Sequence, residues 1–448
     1  MAAAVAVRSK RRLLPHLYRL LHSTAAPSPN RFLRHASPVP RAADHSPFLR
    51  LPAARVSTLP TGLRVVTQSY PAATRMASVG VWVDAGSRFE LPGTNGTAHF
   101  LEHMAFKGTE RRPTANALEV EIEDMGARLN AYTSREQTTF FADVQGRDVP
   151  AALDVLSDIL QHPRFPQQGI QRERGVILRE MEEVVSASGA VDHDEVVDQV
   201  RKLFTGFSTD PTTADQLVEA NPAIFTGSEV RVENAEMPLA HIAIAFKGSS
   251  WTDPSSIPLM VTQSILGSWN RSIGVGNCSG SALARGISNG ELAENLMAFN
   301  TNYRDTGLFG IYTSAPPDAL HDLSRLIMEE FRRLAFRVSE TEVARARNQL
   351  KSSLLLHFDG STAVSENNGR QMLTYGRVMP FLELFARIDA VDCDTVMKTA
   401  KEFIIDKDVA LAAVGPISNL PELSWFRSQT VSDDKFTSRV FSLFAQNN

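Results

Sequence analysis

A chain of 448 residues, 43% hydrophobic and 21% charged, has the composition of a globular protein with room for two domains of about 200 residues each. No apolar run approaches the roughly 18 residues needed to span a bilayer, and Cys278 and Cys393 are too few for a disulfide framework or a thiolate zinc site. The formal charge of −4 hides an asymmetry: ten of the 46 Lys/Arg precede Val56 against one acid, Asp44, which leaves 36 Lys/Arg and 49 Asp/Glu, a net of −13, for the rest. So acidic a body makes a poor nucleic-acid binder and a natural partner for basic peptides.

In chain order, residues 1–55 set Leu13, Leu14, Leu17, Leu20 and Leu21 among arginines, and prolines break any secretory core. That is the pattern of a mitochondrial targeting segment. Ordered structure is expected from near Val56. Thr61-Gly62 separates two short β-like segments, and Ala77–Asp84 alternates as a strand does. Helical text follows at Ala98–Lys107 and Ala115–Met125, a strand pair at Leu129–Val144, and helices at Val149–Gln161 and about Gly169–Val185.

The chain then repeats itself. Gly227–Trp251 echoes Gly62–Arg88, and Asn300–Ser314 echoes Asn130–Val144. The pattern predicts an α+β protein of two tandem homologous domains, each a mixed sheet packed with helices: 56–223 and 224–448. In the second copy 53 residues (357–409) separate the helix at Val343–Leu356 from the strand-like Ala410–Pro416. In the first copy the counterpart, Ser186–Val191, follows Val185 at once. The first domain is therefore expected to lack about 55–60 residues, including helices and part of a central strand.

The chemistry lies in His99-Phe100-Leu101-Glu102-His103. Residues four apart share one helix face, so both imidazoles can meet one ion. Glu102 lies about 60° to the side, where a carboxylate reaches a water beside the metal rather than the metal itself. This is the H-x-x-E-H order of a zinc hydrolase, with Glu102 as general base. The site needs a third ligand, and the candidates are Glu173, Glu180, Glu182 and Glu183. On a helix, Glu173, Ile177, Glu180 and Val184 form the inward stripe, while Glu182 points away. Two acids on a core-facing stripe need a cation or donor to meet them. Glu180 is taken as the ligand, and Glu173 as the acceptor that orients a ligand histidine.

With these residues in place, the chain resembles the pitrilysin-type metallopeptidases. The flanking text (Asn95–Thr109, Asn130–Thr139, Arg172–Val184, Asp305–Tyr312, Arg347–Leu356, Phe385–Val391) is similar to the β-subunit branch of the mitochondrial processing peptidases, above all its plant members. The resemblance implies a first domain carrying Zn2+ and a second without the motif, where Pro258–Gly267 stands in place of the zinc helix. It implies a homologous α subunit as partner, and basic presequence peptides as substrates bound extended beside Asn130, Ala131 and Tyr132. Tyr303, in the echoing segment, is read as packing. Family members also carry further acids after the position of Glu180. Asp192, Asp194 and Glu195 belong to a later segment and do not replace them. The alternative function is a non-catalytic core subunit of respiratory complex III, or an inactive truncated form. In either case the expected location is the mitochondrial matrix or the matrix face of the inner membrane.

Overall fold

The structure, a computed structural model, describes residues 52–69, 75–165, 183–189, 191–206, 213–273, 280–358 and 360–432. The targeting segment as far as residue 51, Glu173, Glu180 and Glu182 lie outside the described residues. Strands β1 (Arg55–Thr58), β2 (Arg64–Ser69), β3 (Met76–Val83), β4 (Arg128–Thr133), β5 (Thr138–Gln145) and β6 (Glu183–Gly189) form one mixed sheet, ordered β1-β2-β6-β3-β5-β4. A second sheet contains β7 (Glu229–Glu233), β8 (Ala240–Gly248), β9 (Ser268–Asn270), β10 (Asn295–Asn302), β11 (Gly307–Ala315) and β12 (Val409–Gly415), ordered β7-β12-β8-β11-β10-β9.

The two sheets share a plan. In each, a late strand enters the middle, parallel to the unit's early strand and antiparallel to the next: β6 between β2 and β3, and β12 between β7 and β8. The repeat expected from the sequence is therefore present as a repeat of strand pairings.

One face of each sheet packs on its own helices. In the first unit, Ala77, Val79 and Val81 alternate inward on β3, and Phe140, Ala142 and Val144 do so on β5. They meet helix α3 (Val149–Gln161), whose Ala152, Leu153, Val155, Leu156 and Ile159 are buried. Pro150 sits in the first turn of that helix, where its missing N–H costs no hydrogen bond. The first unit also has α1 (Thr97–Ala105), α2 (Ala115–Asp124), α4 (His193–Leu203) and α5 (Ala214–Ala220). The second unit adds α6 (Ser256–Leu266), α7 (Ala282–Gly290), α8 (Leu320–Phe336), α9 (Glu340–His357), α10 (Ser361–Tyr375), α11 (Phe381–Asp389), α12 (Cys393–Phe403) and α13 (Leu423–Gln429). Helix α9 starts on a capping box, in which Ser339 and Glu342 satisfy each other's backbone N–H groups.

Helix α10 leaves its own unit and lies across the far face of the first sheet. Its Met372 and Leu373 pack with Val66 and Trp82. Asn368 Nδ2 donates to Gln68 Oε1 at 3.0 Å, and Arg64 donates to the Met372 carbonyl at 2.9 Å. Trp82 is 1% exposed as a result. Both faces of β3 are thus buried, one by helices of its own unit and one by a helix of the other.

Two expectations need correction. The helix foreseen to Val185 does not reach that far, because Glu183–Gly189 form β6. The central strand, expected to be partly lost, is complete, and it pairs Arg64 with Val184 and Val83 with Glu183. An empty slot between β2 and β3 would leave two rows of buried backbone donors and acceptors unpaired. That cost outweighs the local helical preference of the Glu183–Val185 text, and β-branched Val184 and Val185 suit a strand.

Candidate active site

Helix α1 carries the candidate motif at the end of the first sheet. Its N-terminus is built by Gly96, which adopts φ 93°, and by Glu90. The Glu90 carboxylate accepts from the Gly96 and Ala98 backbone N–H groups at 2.7 and 2.8 Å. A carboxylate there satisfies otherwise unpaired donors and the helix dipole together.

His99 and His103 project side by side from exposed positions, with Nε2 atoms 3.1 Å apart and ring centroids 4.6 Å apart. Two nitrogens bound tetrahedrally to one zinc at about 2.0–2.1 Å would sit about 3.3 Å from each other. The pair therefore has a spacing that fits such an ion. Glu102, half-buried beside them, accepts a hydrogen bond from Thr133 Oγ1 on β4 at 2.7 Å, which fixes one carboxylate oxygen. Among the described residues no group of three or more His, Cys, Asp or Glu forms a metal cluster. The structure brings together His99, Glu102 and His103, and Glu173 and Glu180 are not among the residues it describes.

Asn130, Ala131 and Tyr132 lie on β4, the outer strand of the sheet. The Ala131 N–H is turned onto the Asn130 side-chain oxygen at 2.9 Å. Tyr132 is half-buried, and desolvation raises its phenol pKa. A cavity of about 650 Å³ opens beside them, lined by His99, Tyr132 and Glu136 from the first unit and by Trp251, Tyr303 and Arg370 from the second. Tyr303, expected as packing, faces this cavity, and its hydroxyl accepts from Arg135 at 2.5 Å.

Sequence reasoning missed the groups that join the two units at the cavity rim. Arg88 grips Asp305 with two bonds of 2.6 Å and donates to Glu136 at 2.8 Å. Hydrogen bonding to Arg88 holds the Asp305 carboxyl below the usual carboxylate range. Glu136 also accepts from the Arg304 N–H at 3.0 Å, and the Arg304 guanidinium pairs with Asp84 and Asp215. Arg88, Glu136 and Asp305 all fall in the strings that carried the resemblance or its repeat. Their partners in the other unit, however, are more than 160 positions away, beyond the reach of any local pattern.

Fold and site define a metallopeptidase of the M16 type, and the chain belongs to that family. The model of insulinase, peptidase family M16, matches residues 64–205, and that of the M16 inactive domain matches residues 183–350. The chain is 53% identical to the probable mitochondrial-processing peptidase subunit beta of Arabidopsis thaliana, over 89% of this chain and 85% of the relative. It is 41% identical to the human mitochondrial-processing peptidase subunit beta, over 85% of this chain and 88% of the relative. Among solved structures, a chain of complex III2 from Candida albicans matches with TM-score 0.73 at 22% identity, over 85% of this chain and 100% of that one. A protease from Helicobacter pylori matches at 0.69 and 16%, over 82% and 100%. At those identities the structural likenesses establish the fold alone. The Arabidopsis alignment runs over 455 positions but uses 89% of these 448 residues, about 399, so about 56 aligned positions face no residue of this chain.

Proposed function

We propose that this chain is the catalytic β half of a heterodimeric zinc endopeptidase that removes targeting presequences from proteins imported into mitochondria. The observation that carries this reading is the pair of imidazole nitrogens 3.1 Å apart with a tethered carboxylate beside them. His99, His103 and Glu180 hold the ion, and Glu173 orients a ligand histidine. Zinc, when bound, supplies Lewis acidity that polarises a scissile carbonyl and acidifies water. Glu102 takes the proton of the attacking water and returns it to the leaving amine.

The sheet geometry supports Glu180. Glu183, Val83, Thr138 and Thr133 form one row across β6, β3, β5 and β4, so Glu183 stands about 14 Å from the strand residue that holds Glu102. Three residues of extended chain span at most about 10 Å, so a ligand three positions before Glu183 is compatible with that separation. Substrate adds as a strand along β4 at Asn130–Tyr132, the cavity takes its side chains, and the acidic body attracts its basic residues. The partner is a homologous α subunit and the location mitochondrial, as for the relatives. Residues 1–55 are the targeting segment, 56–223 the catalytic domain, shortened after Val185, and 224–448 the domain without the motif.

The test is the full chain co-expressed with an α subunit, assayed for zinc by elemental analysis and for cleavage of a presequence peptide. Zinc near one per chain with cleavage is expected, and Glu102→Gln should keep the metal while losing about 10²–10⁴ of turnover. Substantial cleavage by E102Q would sink the mechanism. Copurification with complex III, without zinc, would replace this reading by a structural core subunit.

A further inference from the structure

Helix α10 does more than cover the first sheet. Its buried positions recur at helical spacing, and Asn368, Gly369, Met372 and Leu373 among them meet the sheet. Glu366 and Arg370 stand beside that buried face, four residues apart, and both line the cavity of about 650 Å³ that opens at β4. A helix of the second unit thus brings two charged side chains to the outer strand of the first.

The charges around this cavity are not equally engaged. Glu136 is taken by Arg88 and by the Arg304 N–H, and Arg135 donates to the Tyr303 hydroxyl. Arg370 holds the position that suits an ion pair with Glu366 along a helix. It lies instead over the Trp251 ring, 5.9 Å from the centroid. Glu366 is left with the Tyr132 hydroxyl at 3.5 Å, the long limit of a hydrogen bond. Among the described residues no cation pairs with its carboxylate. A half-buried carboxylate without a counter-ion favours the arrival of one.

The pleat selects which substrate side chain arrives there. Trp82, Thr139 and Tyr132 form one row across β3, β5 and β4, on the sheet face that α10 covers. Thr133, the next residue on β4, points to the opposite face, where it holds Glu102. Side chains of a peptide added along β4 alternate in the same way. A residue laid beside Tyr132 sends its side chain toward Glu366, and its two neighbours send theirs toward the Glu102 face. We propose that Glu366 is a specificity-determining residue, receiving the arginine or lysine side chain of a substrate residue seated beside Tyr132. This rests on the peptidase reading above and adds a parity to it: the cation is read at alternate positions of the bound strand. The domain without the motif then takes part in choosing the substrate.

The test uses the full chain carrying Glu102→Gln, assembled with an α subunit so that peptide is held rather than cut. Binding of labelled presequence peptides is followed by fluorescence anisotropy, with their arginines replaced one at a time by norleucine. At one position the replacement should weaken binding about tenfold, and with Glu366→Gln added it should cost less than about twofold. Replacements at the adjoining positions should cost the same with and without Glu366. Glu366→Lys should reverse the preference, so that glutamate at that position binds better than arginine. Equal losses with and without Glu366 would overturn the proposal. So would a Glu366→Gln chain that binds every peptide more weakly by one factor, which would make Glu366 a support for Tyr132. Zinc and cleavage, measured with Glu102 restored, keep the two readings apart. If presequence is cut but the arginine preference survives E366Q, this proposal alone falls. If zinc, cleavage and peptide binding are all absent, the peptidase reading falls and takes this one with it.

Discussion

Thr133 matters to the site through a single hydrogen bond. Its hydroxyl holds one oxygen of Glu102 and leaves the other for a proton. Thr133→Val keeps the volume and deletes that donor. The zinc content should stay, KM should change little, and kcat should fall about tenfold, as expected for a misdirected general base. A fall in zinc content would make Thr133 a support of the fold instead. His193 offers a second check away from the site. It is buried, with Nδ1 against Thr67 Oγ1 at 2.7 Å and Nε2 against Ser57 Oγ at 2.8 Å. Burial, with the nearby Arg55 charge, lowers its pKa below 6.5. The folded state therefore favours neutral imidazole, and the unfolded state takes up the proton first. This contribution is present above about pH 6.5 and fades as pH falls below it, by at most about 1.4 kcal/mol per pH unit. Melting temperatures between pH 7.5 and 5.5 should slope downward, less steeply in His193→Gln.

At the scale of elements, α10 shows how close packing sets sequence. Alanine at Gly369 would gain up to about 1 kcal/mol of helix propensity. The new methyl would enter the space of an indole that is 1% exposed and pinned by Val66 and Met372. Overpacking of that kind costs about 1–3 kcal/mol, so Gly369→Ala should destabilise overall, by about 1–2 kcal/mol in urea unfolding. A neutral or stabilising result would show that α10 can lift from the sheet. The elements themselves were largely legible. Val149–Gln161 is the helix its apolar period predicts, and Ala77–Asp84 differs from β3 by one residue at each end. Glu183–Val185 misled because their helical text was read without the gap between β2 and β3 that they fill.

For the molecule as a whole, the ion network at the cavity rim joins the units. The Asp84 side chain is fully buried and that of Arg304 is 15% exposed. Removing the cation strands a buried carboxylate, which costs about 3–5 kcal/mol. Arg304→Met should therefore lower stability by that order, and Asp84→Asn added to it should recover part of the loss. If R304M unfolds as the parent does, the clasp is ornamental. Because Asp305 is held below the ordinary carboxylate range, its share of the clasp is present above about pH 4 and is lost as acid protonates it. The clasp should accordingly survive mild acid better than the His193 contribution does.

The sequence by itself determined the catalytic string, the strand and helix periods and the tandem repeat, because each is written in neighbours a few positions apart. It also raised the expectation that the first copy is short. Only the tertiary structure decided that Glu183–Gly189 become the central strand of the first sheet, and that a helix of the second unit covers that sheet's far face. Those outcomes depend on backbone groups and surfaces brought together from distant parts of the chain, and no local pattern encodes what a distant surface lacks.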